Sequence, residues 1–225
     1  MTIETDIAKI ITLAKHKNAI NSDQARELLK LLIQVFKETT EGAEHPARQI
    51  LRITTKFRDA GRRSAPWKPT SSRVPGRPQD GADGNRINRW LLPVDHKFYA
   101  TEVNATLVEA KYYLQALSLE NAPKLPNNGF GDYFNWLTEH PIQPGAYLDP
   151  IQLIPIDFHE VVREARSIQS GHLVPLDRGG RHEPQNTFLM LARSNQLQGN
   201  LTLAELIKLM EEIVTKHKTR HTLRP

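Results

Sequence analysis

His172, Asn186 and Asn195 stand fourteen and nine residues apart in SGHLVPLDRGGRHEPQNTFLMLARSNQLQGN, residues 170–200. A histidine titrates near neutral pH, so it can take a proton from water under ordinary conditions. An asparagine amide oxygen is a hard donor of the kind Mg²⁺ accepts while keeping several waters. Hydrolysis of a phosphodiester needs a base for the attacking water, a cation for the departing oxygen, and a scaffold that fixes both. Histidine and asparagine are residue types that could supply the base and the cation's ligand.

The surrounding pattern predicts the scaffold. RSIQSGHLV, residues 166–174, alternates loosely and reads as a strand with His172 near its end. Pro175 stops it, and the excursion through residues 176–185 uses the conformational freedom of Gly179 and Gly180. NTFLMLA reads as the returning strand, and RSNQLQGN as a helical turn closed by Gly199. Thr202 and Glu205 form a capping box for a final helix, LAELIKLMEEIVTKHK. His172 would close the first strand, Asn186 open the second, and Asn195 sit on the helix packed across the hairpin.

With His172, Pro175, Gly179, Gly180, Asn186, Asn195 and Gly199 at these offsets, the stretch resembles the HNH, or ββα-metal, nuclease signature. That resemblance implies His172 as the general base, with its second nitrogen held by a loop carbonyl. It implies Asn186 as the residue that ties the wide loop beside His172. It implies Asn195 as a ligand to Mg²⁺ or Mn²⁺, and products with 5′-phosphate and 3′-hydroxyl ends. Two features depart from the family pattern. Gly171 stands where many members carry an Asp or Glu ligand, so either a single asparagine holds a largely hydrated cation or another acid supplies the second ligand. Asp157, Glu160 and Asp177 are the candidates. The chain also has no cysteine, so the Cys-Cys zinc pairs of many members are missing and there is no cysteine-bound structural zinc.

Upstream, the sequence reads as helical. TDIAKIITLAKHK and SDQARELLKLLIQVFKE are amphipathic helices, the second with Ser22 as cap and Ala25, Leu28, Leu29, Leu32, Val35 and Phe36 on its apolar face. A third begins at Pro46 and ends before Gly61, with Ile50, Leu51 and Ile53 facing in. Residues 62–87 lack any period and read as a long loop. INRWLLPV and KFYAT suit short strands, NATLVEAKYYLQALSLE a helix capped by Asn104, DYFNWLTEH a short helix, and Val94-Asp95-His96 a surface turn. The expected architecture is mostly helical α+β. A helical, arginine-rich recognition region spans residues 1–145, and a ββα-metal unit spans 146–225.

Charge distribution supports a nucleic-acid partner. Between Arg48 and Arg89 eleven Lys and Arg face three Asp, although the whole chain carries only +5. A cluster of this kind neutralises phosphates and releases counterions. Arg62, Arg63, Arg73 and Arg77 are expected to meet DNA, and Arg178, Arg181 and His182 to meet phosphate near the wide loop. No run approaches the length of a membrane span, and the N-terminal stretch mixes charge into its apolar stripe, so a cytoplasmic protein is expected. A non-specific nuclease needs little beyond its catalytic unit. The large arginine-bearing region therefore predicts a site-specific DNA endonuclease of the type II restriction class, acting on double-stranded DNA, commonly as a homodimer on a palindrome. The alternatives are a free-standing homing or phage nuclease of low specificity, and a DNA-binding relative that has lost catalysis.

Overall fold

The computed structural model describes residues 2–42, 45–64 and 86–222. Its helices are α1 (Ile3–Ala14), α2 (Ser22–Thr40), α3 (Ala47–Ala60), α4 (Glu102–Ala116), α5 (Asn135–Thr138), α6 (Phe158–Arg163), α7 (Ala192–Gln198) and α8 (Leu203–Thr222). Two antiparallel pairs complete the described residues: β1 (Arg63–Ser64) with β2 (Ile87–Asn88), and β3 (Ile168–His172) with β4 (Thr187–Leu191). The described residues are mostly helical with two small sheets. Among the described residues no helix is long and apolar enough to cross a membrane.

α2 forms where its apolar residues recur at helical spacing, and all six of the expected facing residues are buried. Its cap is Asn21, one residue before the expected Ser22. The Asn21 side chain accepts from the Gln24 amide at 3.0 Å, and the Gln24 side chain accepts from the Asn21 amide at 3.0 Å. In α3, Ile50 and Ile53 are buried, but Leu51 lies 59% exposed on the opposite side of the helix. α4 is capped by Thr101, whose hydroxyl accepts from the Asn104 amide, so the helix starts two residues before Asn104. Only Ile87–Asn88 of the first expected strand pairs. Arg89–Leu91 turns as a 3₁₀ helix, and no strand forms over residues 97–101.

α4 is the hub, with every residue from Ala105 to Ala116 buried. Phe36 of α2, Phe57 of α3 and Tyr113 of α4 meet edge to face, with centroids 5.0–6.2 Å apart. Pairs in this geometry add about 0.5–1.5 kcal/mol each beyond the area they bury. One continuous apolar cluster runs from Ile7 to Ile168 and Leu189 of the β3–β4 hairpin. The expected division at residues 145 and 146 falls in a segment bonded to both sides of it. The Gly145 and Tyr147 amides donate to the carbonyls of Leu119 and Ser118, and the Tyr147 hydroxyl donates to the Leu189 carbonyl.

Candidate active site

The hairpin is held edge-on to α4 by polar groups buried within an otherwise apolar helix. The Leu189 amide donates to the Gln115 side chain at 3.0 Å, and the Tyr112 hydroxyl bonds Ser170. The Lys111 ammonium donates to the Pro184 carbonyl at 2.7 Å and lies 3.6 Å from the Phe188 ring centroid. Burial lowers the Lys111 pKa to about 8. The outer edge of β4 is closed further on by Asp149, which accepts from the Leu191 amide and the Ser194 hydroxyl.

Asn186 ties the wide loop. Its side-chain oxygen accepts from the Val174 amide at 2.8 Å, and its side-chain nitrogen donates to the carbonyls of Val174 and Arg181 at 3.0 and 2.8 Å. The two glycines serve different needs. Gly179 adopts φ +83°, whereas a Cβ on Gly180 would stand 1.9 Å from the Val174 carbonyl oxygen.

His172 ends β3, where strand alternation places its ring on the same face as Ser170 and Ile168. Its Nε2 lies 3.1 Å from Nδ1 of His182, and Nε2 of His182 lies 2.8 Å from the Gly61 carbonyl oxygen at the end of α3. A carbonyl only accepts, so His182 Nε2 carries a proton. Burial first, then the nearby Arg89 and His172, holds the His182 pKa well below its usual value, so this ring is neutral and its Nδ1 has a lone pair. His172 Nε2 must then donate to it. Burial and the Arg89 charge lower the His172 pKa to about 4, leaving the ring neutral with its lone pair on Nδ1. The ring as a whole is half-buried.

The expected loop carbonyl is thus replaced by a second imidazole anchored on a carbonyl from the helical region. Arg89 completes the anchor, donating to the carbonyls of Gly61 (2.9 Å), Ala60 (3.1 Å) and Phe98 (3.2 Å). Its own pKa is lowered to about 10 by burial. Sequence reading missed Arg89, Lys111 and Gln115. For Lys111 and Gln115 the available signal was polar residues set inside the apolar stretch LVEAKYYLQAL.

The other face of the hairpin is built differently. Gln169 and Gly171 point there, and the Asn195 side chain donates to Gln169 at 2.6 Å. One turn further along α7, Gln198 donates to the His172 carbonyl at 2.7 Å. Asn195 thus meets β3 near its start, through a residue that strand alternation places on the face opposite to His172. A Cβ on Gly171 would fall 2.0 Å from the Met190 methyl and 2.4 Å from its sulfur, so Met190 fills the place of a residue-171 side chain. The donors on this face are two amide oxygens, with a soft thioether where the family's carboxylate would stand. Among the described residues no group of three or more His, Cys, Asp or Glu could hold a metal ion. These side chains alone do not make a site for a hard cation.

The three acids expected as second ligands are engaged elsewhere or point away. Asp157 caps α6, accepting from the amides of His159 and Glu160 and from the Asn121 side chain. Glu160 is exposed in the first turn of α6. Asp177 pairs with Lys97 at 2.6 Å. Among the basic residues, His182 corrects the sequence reading most sharply. It is 1% exposed and belongs to the imidazole relay, so it is not a phosphate contact. Arg178 is paired bidentately with Glu205 at 2.8 and 2.9 Å. Arg62 is paired with the buried Glu109, and Arg63 donates to the Arg86 carbonyl and lies 3.4 Å from Asp59. Arg181 is exposed on the rim of a cleft of about 380 Å³ between Gly179–Glu183 and Val94–Asn104, of which only Val94-Asp95-His96 was expected to be a surface turn. Arg73 and Arg77 lie outside the described residues.

No model of a known protein family matches the chain, and no curated protein matches it. Among solved structures, one titled "Crystal structure of a type II restriction endonuclease" is similar, with 22% sequence identity and a TM-score of 0.46. The match covers 59% of this chain and 62% of that one. Less than two thirds of the neighbour's length is spanned.

Proposed function

We propose that the chain is an HNH-type endonuclease that cuts double-stranded DNA site-specifically, in the manner of a type II restriction enzyme. The observation that supports this is the neutral, half-buried His172 ring, whose Nε2 is engaged by a two-step relay that leaves the lone pair on Nδ1. A water bonded to that nitrogen loses its proton as its oxygen attacks phosphorus. The P–O3′ bond then breaks, leaving a 5′-phosphate and a 3′-oxygen that gains a proton. The neighbouring Arg89 charge disfavours the imidazolium so formed and speeds its return to the neutral base. Asn186 keeps the wide loop beside the reacting phosphate. Arg181 and Arg178 are the nearest phosphate contacts, with Arg63, Arg73 and Arg77 carrying the DNA further along and Arg62 supporting that segment from Glu109. Asn195 is the residue that would hold Mg²⁺ or Mn²⁺, and such an ion would neutralise charge on the phosphate. A palindromic target calls for two copies of the chain. Such an enzyme works in the cytoplasm.

One specific observation favours a second reading, a DNA-binding relative without catalysis: Met190 occupies the position of the family's acidic ligand. Incubating the purified chain with a long duplex and Mg²⁺ or Mn²⁺, then sequencing the ends, separates the readings. Discrete 5′-phosphorylated fragments, lost in His172→Ala with DNA binding kept, are expected. A smear would support a homing or phage nuclease of low specificity. Binding with no cleavage under either ion would establish the silent relative.

A further inference from the structure

α8 leaves the body of the protein after its first turn. Leu206 is buried, and from Ile207 to Arg220 every residue is exposed. The exposed part is still amphipathic. Ile207, Leu209, Met210, Ile213 and Val214 share one face of roughly 160° at 100° per residue, each 43–49% exposed. A helix of this length is marginal in water without a partner for its apolar stripe.

The charges on α8 say what that partner is. Acids lie in its first half (Glu205, Glu211, Glu212) and bases in its second (Lys216, Lys218, Arg220), with Lys208 the exception. Glu212 and Lys216 border the apolar face on one flank, and Glu211 and Lys218 border it on the other. In an antiparallel pair of α8 helices, Glu212 meets Lys216 of the other copy when the two-fold axis passes at Val214. The opposite flank brings Glu211 to Lys218 with the axis within half a residue of the same point. Ile213 and Val214 then sit at the centre of the stripe, with Met210 and Ile207 to either side. Acid meets base on both flanks only if the second helix runs the other way.

We infer that α8 is a self-association helix that pairs antiparallel with α8 of a second copy of this chain about an axis at Val214. This does not depend on the nuclease reading. Sedimentation equilibrium of the full chain is expected to give twice the 25.6 kDa chain mass. Ile213→Glu with Val214→Glu should return it to monomer with an unchanged thermal transition, since both residues lie beyond the body. Glu212→Lys should weaken the dimer at least tenfold, and adding Lys216→Glu should restore it. Orientation is read by a short bis-maleimide, because the chain has no cysteine of its own. Val214→Cys should cross-link to its counterpart. Ile207→Cys should not, its counterpart lying about 21 Å away along the axis at 1.5 Å per residue. A wild-type chain that stays monomeric across the concentration series would overturn the inference. So would a dimer that survives the double glutamate change, or equal cross-linking at residues 207 and 214.

Discussion

On one face of the β3–β4 hairpin, His172 is fixed through His182 to the Gly61 carbonyl, and Arg89 holds the same carbonyl. On the other, Asn195 meets a single flexible partner, Gln169, and Met190 packs over Gly171. The first face has a defined tautomer, a defined pKa shift and three elements converging on it. The second has one hydrogen bond between amides and an apolar filler. On the proposed reading, preorganisation lies on the side of the base, and the opposite face would be completed by substrate and water. An enzyme built this way would orient its base before DNA arrives and assemble the rest only on the phosphate.

The sharpest way to break this contrast is His182→Ala. Outer partners that fix an imidazole typically matter by roughly 10–100-fold, and a loss of cleavage rate of that order is expected in single-turnover assays with DNA affinity unchanged. His182→Gln, which can accept from His172 and donate to Gly61, should recover much of it, and equal loss in both variants would make His182 a packing residue only. The cation face is probed by Gly171→Asp combined with Met190→Ala, which adds a carboxylate and clears space for it. The concentration of Mg²⁺ or Mn²⁺ giving half-maximal cleavage should fall by roughly tenfold, the scale of one added charged ligand. An unchanged cation response would mean that this face is not where the ion sits.

Asn186→Ala removes three loop hydrogen bonds and should cost about 1–3 kcal/mol of stability in urea unfolding, with cleavage falling alongside. A change below the error of the titration would show that the double-glycine loop holds itself. The smallest expected effect is a pH trend. His172 and His182 both have folded pKa values below the unfolded value of about 6.5. Between about pH 6.5 and 4 the unfolded chain therefore binds more protons. The stabilisation of the neutral relay is complete above pH 6.5 and declines as pH falls towards 4. The urea midpoint should drop over that window, less steeply in His182→Gln, and a flat midpoint from pH 7 to 5 would contradict a buried neutral pair.

The hairpin, its helix and the apolar face of α2 were legible because each is set by local spacing: alternation, a capping box, a 3.6-residue stripe. Leu51 was misplaced because it lies between two inward residues, Ile50 and Ile53, and only the helix's exact rotation decides which side it faces. The acids Asp157 and Asp177 looked available because sequence distance does not reveal a helix cap or an ion pair with Lys97, eighty positions away. His182 looked like surface charge because GGRHEP is polar. Only the approach of α3 puts a carbonyl where its second nitrogen needs one. The roles of Arg89 and Lys111 come from contacts of 28 and 73 residues in sequence separation, and no local pattern encodes those.

The acceptor that terminates the imidazole relay belongs to Gly61, more than a hundred residues ahead of the hairpin and one peptide away from Arg62. Its position leaves no room for a side chain, because a Cβ there would lie 2.6 Å from that of Glu109. The motif of residues 170–200 is consequently not a portable cassette. Spliced into another scaffold, it would carry its nitrogen bases but not the oxygen that tells them which one to protonate.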